Sequence, residues 1–276
     1  MLVPMPMLDV NGTQLYYEDS GGDGEPILFS HGLLWSTELF APQVEALRGR
    51  FRCIAYDHRG QGRSAKPPGR SVEIETVYED AVALIARLGL APCHFVGLSM
   101  GGFVGMRLAA RRPELLRSLA LLETSADPEP PQNAPRYRAL ATVARFLGLR
   151  LVAGRVMPIM FGKSFLTDPA RVAERAAWRK RLLQNERSIY RAVNGVIDRK
   201  AVSQELYRIR SPTLVLVGEE DVATVPAKAE AIHARIAGSR LVRLPRGGHS
   251  STVEEPELVN AALSAFLAEH SGGGAR

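Results

Sequence analysis

The chain has 276 residues, 46% hydrophobic and 23% charged, which is long enough to bury a sizeable core and balanced like an ordinary globular protein. Its net charge of +6 comes with no basic platform interleaved with aromatics, so nucleic acid is set aside as a partner. Two cysteines, Cys53 and Cys93, fall in apolar runs, and no Cys/His group has ligand spacing, so neither a disulfide framework nor a metal site is expected.

The start, Met1 to Met7, has no basic segment followed by a long apolar one, so a cytoplasmic protein is expected. Runs read as strands occur at Met7 to Val10, Leu15 to Glu18, Ile27 to Ser30, Cys53 to Tyr56, His94 to Gly97, Ser118 to Leu122, Thr213 to Gly218 and Arg240 to Leu244. Asn11-Gly12 joins the first two as a hairpin. Helical patterns intervene at Glu38 to Leu47, Val72 to Leu88, Gly102 to Arg111, Pro226 to Ala237 and Glu254 to Ala268. Such alternation predicts the α/β class: an eight-stranded, mostly parallel sheet covered by helices on both faces, with the hairpin as an antiparallel edge. Ligands then bind beyond the carboxyl ends of the strands. From Leu88 to Met106 no Asp, Glu, Lys or Arg occurs, but Pro92, His94 and five glycines break that stretch, so it reads as strand, turn and helix start instead of a membrane span.

From Ser125 to Glu205 the alternation stops. The segment enters through Pro128, Pro130, Pro131 and Pro135 and carries 15 Lys/Arg against 7 Asp/Glu. Helical patterns at Arg136 to Leu147, Arg150 to Met160, Pro169 to Gln184 and Glu186 to Asp198 mark it as an inserted helical cap. The expected organisation is a core of 1–124 and 206–270, a cap at 125–205 and a disordered tail at 271–276.

Gly97-Leu98-Ser99-Met100-Gly101 has the form G-x-S-x-G and lies between a strand and a helix. A serine in that turn has a strained backbone and an exposed hydroxyl, and the flanking glycines let the turn close. Upstream, the strand ending at Ser30 runs into His31-Gly32-Leu33-Leu34. Downstream, Gly218-Glu-Glu-Asp221 follows one strand and Pro245-Arg-Gly-Gly-His249 the next. A serine hydroxyl attacks only when a base takes its proton, and a carboxylate must fix that base's tautomer. The chain order Ser, Asp, His supplies Ser99 as nucleophile, His249 as base and Asp221 as orienting acid. Glu219, Glu220, Glu123 and Asp127 remain competitors for the acid. His94 reads as a core residue within a strand.

These motifs, with the loop Asp57-His-Arg-Gly-Gln-Gly-Arg-Ser64, give the chain a resemblance to the α/β-hydrolase superfamily over nearly its whole length. Within it, the chain looks most like the small bacterial esterases and enol-lactonases with a helical cap. The resemblance implies an oxyanion hole built from the backbone N–H groups of Leu33 and Met100, with His31 and the Asp57 loop as structural supports. It implies a substrate pocket near Leu34 and Trp35, roofed by cap residues among Tyr137, Phe146, Met160, Phe161 and Trp178. Hydrolysis of carboxylic esters with small acyl or alcohol groups through an acyl-enzyme is the expected reaction, with lactone hydrolysis as the alternative. Perhydrolysis, carbon–carbon bond hydrolysis and non-catalytic ligand reception on the same fold stay open, as does a homo-oligomeric state. No cofactor is implied.

Overall fold

A computed structural model describes residues 6–272. Strands β1 (Met7–Val10) and β2 (Thr13–Asp19) meet at Asn11 and Gly12, whose φ angles of 43° and 71° make the turn an Asn-Gly pair favours. Six more strands follow: β3 (Pro26–Ser30), β4 (Arg52–Tyr56), β5 (Cys93–Leu98), β6 (Leu116–Leu122), β7 (Thr213–Gly218) and β8 (Arg240–Leu244). They form one eight-stranded sheet in the order β1-β2-β4-β3-β5-β6-β7-β8. The β1–β2 and β2–β4 pairings are antiparallel and the rest parallel. β5 and β7 are buried at every residue, which explains their unbroken apolar sequences: helices cover both faces.

Before β6 the chain forms α1 (Ala41–Leu47), α2 (Ile74–Arg87) and α3 (Met100–Arg111). Between β6 and β7 it forms α4 (Ala134–Leu147), α5 (Ala153–Met160), α6 (Lys163–Thr167), α7 (Val172–Gln184) and α8 (Tyr190–Ile197), with no strand. The short α6 has no counterpart in the expected pattern. After β7 come α9 (Pro226–His233), α10 (Ser251–Glu254) and α11 (Pro256–His270). The single closing helix expected at Glu254 to Ala268 is therefore two. Glu255 breaks it with φ −130° and ψ 56°, because a residue preceding proline is pushed out of the helical region.

Strand alternation divides the core. Leu28, Ile54 and Phe95 pack with α2, α3 and α9 on one face, whereas Ile27, Phe29 and Val96 pack with α1 and α11 on the other. The inserted helices join this second layer through Val152, Met160, Trp178 and Leu182. Of the tail expected to be disordered, Ser271 and Gly272 are placed: the Gly272 N–H donates to Glu25 Oε1 at 3.0 Å, a correction to that expectation. Residues 273–276 lie outside the described range.

Candidate active site

Ser30, Leu98, Gly218 and Leu244 end four parallel strands, and the residues that matter follow each of them. Ser99 caps α3 with φ 52° and ψ −108°, a region that costs a non-glycine residue of order 1–3 kcal/mol. Its neighbours hold it there. The Ser99 N–H donates to the Leu122 carbonyl (2.9 Å), and the Ser99 carbonyl accepts from Thr124 Oγ1 (2.8 Å). A Cβ on Gly101 would stand 1.9 Å from the Ser30 carbonyl oxygen, and one on Gly97 2.4 Å from that of Gly101. Only glycine fits at either position, which is why both ends of the motif are glycine.

Ser99 Oγ lies 2.9 Å from His249 Nε2, and His249 Nδ1 lies 2.8 Å from Asp221 Oδ2. With Asp221 accepting from Nδ1–H, the free lone pair of Nε2 faces the serine hydroxyl. Asp221 also accepts from the N–H groups of Ala223 (2.8 Å) and Thr224 (3.0 Å) and from Thr224 Oγ1 (2.7 Å). Burial acts to raise its pKa, but His249 and the Thr224 donors outweigh it and hold the carboxyl below its ordinary value. It is thus ionised at neutral pH.

The competing acids are engaged elsewhere. Glu219 pairs with Arg243 (2.7 Å), Glu220 accepts from Ser164 N–H (2.6 Å), and Asp127 pairs with Lys228 (2.9 Å). Glu123 is fully buried with neither oxygen hydrogen-bonded. Burial first, then the Asp221 charge, raises its pKa well above the usual range.

Met100 supplies the first N–H of α3, one of the four that an α-helix leaves without internal acceptors. Across from it runs the segment from His31 to Trp35, where Leu34 has φ 73°. Gln61 ties the two together: its Oε1 accepts from the Leu34 N–H at 2.8 Å, and its Nε2 lies 3.4 Å from Met100 Sδ. His31 and His58 are fully buried. The His58 N–H donates to His31 Nε2 (3.1 Å), and His31 Nδ1 donates to the Gly32 carbonyl (2.7 Å). Burial lowers both pKa values, with His31 depressing His58 further and Asp57 partly offsetting the drop at His31. These are neutral struts. His94 likewise bonds Ser118 Oγ (2.7 Å) and Glu25 (3.1 Å) within the sheet.

A cavity of about 930 Å³, counting its open mouth, is lined by both Ser99 and His249. Leu33, Leu34, Tyr137 and Met160, all expected near substrate, also line it. Four other expectations are corrected. Trp35, Phe161 and Trp178 are buried in an aromatic cluster beside the cavity, with Trp35 5.2 Å from Trp178 and 5.7 Å from Phe161 between ring centroids. Edge-to-face packing holds them there. Phe146 is 60% exposed. On α4 the lining residues Tyr137, Leu140, Ala141 and Ala144 share one stripe, and at about 100° per residue Phe146 falls roughly opposite it.

Three supporting residues were not singled out from the sequence. Thr224, three residues beyond Asp221, completes its hydrogen bonding. Glu254, five beyond His249, accepts from the N–H groups on both sides of that histidine, Gly248 (3.1 Å) and Ser250 (2.9 Å). Its other contact is the Gly162 N–H at 2.7 Å, between α5 and α6. Burial raises the Glu254 pKa to about 7 against the pull of these three donors. The third, Gln61, hides in a loop that reads as structural. For Thr224 and Glu254 the signal was proximity in the chain to a named residue.

Residues 25–256 match the family described as alpha/beta hydrolase fold. The chain belongs to it. In this family the chain is similar to the enol-lactonase of Burkholderia xenovorans LB400, with 31% identity and a TM-score of 0.88 over 95% of this chain and all of that one. It is similar to a thermophilic esterase from Thermogutta terrifontis, with 30% identity and a TM-score of 0.88 over 96% of this chain and 100% of the other. A Caulobacter sp. (strain K31) protein, named provisionally as the carbamate hydrolase RutD, is 30% identical over 92% of this chain and 95% of its own length. The α/β-hydrolase fold read from the sequence is therefore the fold of the molecule, and the chain is a hydrolytic enzyme. No helix among the described residues is long and apolar enough to cross a membrane.

Proposed function

We propose that the enzyme cleaves carboxylic esters through a Ser99–His249–Asp221 catalytic triad and an acyl-enzyme. The observation that carries this reading is the unbroken hydrogen-bonded chain from Ser99 Oγ to His249 Nε2 (2.9 Å) and from His249 Nδ1 to Asp221 (2.8 Å), opening into the cavity. His249 takes the hydroxyl proton as Ser99 attacks the ester carbonyl, and Asp221 stabilises the imidazolium that forms. The N–H groups of Leu33 and Met100 receive the developing oxyanion. His249 then passes its proton to the departing alcohol, and water repeats the sequence on the acyl-enzyme. The largely apolar cavity takes the acyl chain, and the segment 125–205 acts as its cap.

Lactones, as cyclic esters, follow the same steps, and the likeness to an enol-lactonase favours including them. The test is turnover of p-nitrophenyl esters of increasing acyl length, several lactones and an aryl carbamate, by wild type and Ser99→Ala. Ester or lactone turnover that drops by a factor on the order of 10⁴–10⁶ in Ser99→Ala is expected. Turnover of the carbamate alone, or activity that survives Ser99→Ala, overturns the reading.

A further inference from the structure

Among the residues lining the apolar cavity, Arg199 and Glu129 carry charged groups that the reaction above does not use. Arg199 is 7% exposed, and its guanidinium lies 4.5 Å above the ring centroid of Phe103, one helical turn beyond Ser99. Nε donates to the Asp127 carbonyl (3.1 Å), and Nη1 donates to Glu129 Oε2 (2.9 Å) and the Val196 carbonyl (2.8 Å). Nη2 has no acceptor among the described residues. Three bonds thus fix the plane of the guanidinium and leave Nη2, on a residue that lines the cavity, without a protein acceptor among the described residues.

We propose that Arg199 Nη2 binds an uncharged oxygen acceptor on the acyl part of the substrate, making oxo-acyl esters and oxo-substituted lactones the preferred class. This rests on the ester-hydrolase reading of the site. An apolar wall has no need of an arginine, and a donor that loses its solvent when substrate fills the cavity must find an acceptor on that substrate. The acceptor is uncharged because Glu129 already neutralises the guanidinium. A second carboxylate would leave a net negative cluster in apolar surroundings. A pre-fixed donor also discriminates more sharply than an apolar wall does, because a substrate lacking the oxygen leaves the donor unpaired.

The test is calorimetric binding of N-butyl 4-oxopentanamide, 5-oxohexanamide and 6-oxoheptanamide, each against its deoxy counterpart, to Ser99→Ala. At least one oxo amide is expected to bind roughly tenfold or more tightly than its partner, the range of a hydrogen bond to a charged group. In Ser99→Ala/Arg199→Met that ratio falls to about one. Ratios near one for all three pairs overturn the proposal, as does a preference that survives loss of Arg199. Ser99→Ala/Glu129→Gln keeps the arginine and covers the case in which Arg199→Met fails to fold. There the freed charge is expected to tighten binding of N-butyl glutaramate relative to Ser99→Ala, and unchanged binding counts against the assignment. Wild-type kcat/KM for p-nitrophenyl 5-oxohexanoate against hexanoate separates the two readings. Absent turnover with intact binding preference sinks the reaction, whereas turnover without any binding preference sinks the subsite.

Discussion

Glu254→Gln isolates the residue that holds the histidine loop. The carboxylate accepts three backbone N–H groups, from Gly162, Gly248 and Ser250, while buried at 2% exposure. A glutamine of the same shape has one acceptor oxygen, so an N–H faces a donating amide and at least one bond beside His249 is lost. A buried donor left unpaired costs about 1–3 kcal/mol, and if that cost falls on the aligned state, kcat drops roughly 10- to 100-fold with KM little changed. The pH dependence gives an independent check. The folded pKa of about 7 stands above the ordinary 4.5, so the folded protein binds this proton more tightly than the unfolded chain does. That contribution is fully present below pH 4.5 and is lost as pH rises through about 7. A shift of this size corresponds to about 3 kcal/mol at 1.36 kcal/mol per unit. Urea denaturation at pH 5 and pH 8 measures most of it: wild type should lose about 2–3 kcal/mol more across that interval than Glu254→Gln. Taking the difference between the two proteins largely cancels other titrating groups. Parallel stability–pH curves, or an unaltered kcat, would refute the clamp.

Asp221→Asn keeps the bulk of the side chain but can donate to His249 Nδ1, turning the imidazole to the tautomer whose Nε2 carries hydrogen. A loss of about 10⁴ in kcat is expected, read from burst and steady-state ester hydrolysis, and a loss below tenfold would assign the acid elsewhere. Gln61→Met keeps length and burial but removes the acceptor of the Leu34 N–H, whose residue sits at φ 73°. About 1–3 kcal/mol of stability should be lost in urea titrations, and kcat should fall more than KM rises. An unchanged kcat would separate Gln61 from the oxyanion donors.

The sheet was legible because its central parallel strands are buried on both faces and leave unbroken apolar runs such as Thr213 to Gly218. Ser99 and Asp221 were legible because they stand at or just beyond the ends of such runs, and His249 because it follows the Gly247-Gly248 pair in the chain order Ser, Asp, His. The cavity was much less so. Phe146 and Tyr137 are both aromatic residues on α4, and only the phase of the helix against the core separates the exposed one from the lining one. Trp35 and Trp178 come from distant parts of the chain, and their packing against each other could not be read from either. Arg199 carried no distinguishing signal, being one of 15 basic residues between Ser125 and Glu205. What sets it apart is the carboxylate beside it, 70 positions away in the chain.

Residues 160–164 are stitched to two of the loops at the candidate site. Ser250 Oγ donates to the Met160 carbonyl (2.7 Å), Glu254 holds the Gly162 amide (2.7 Å) and Glu220 takes both Ser164 donors (2.6 and 2.5 Å). These bonds tie residues 160–164 to the loops that carry His249 and Asp221, so displacing this segment would strain both loops at once.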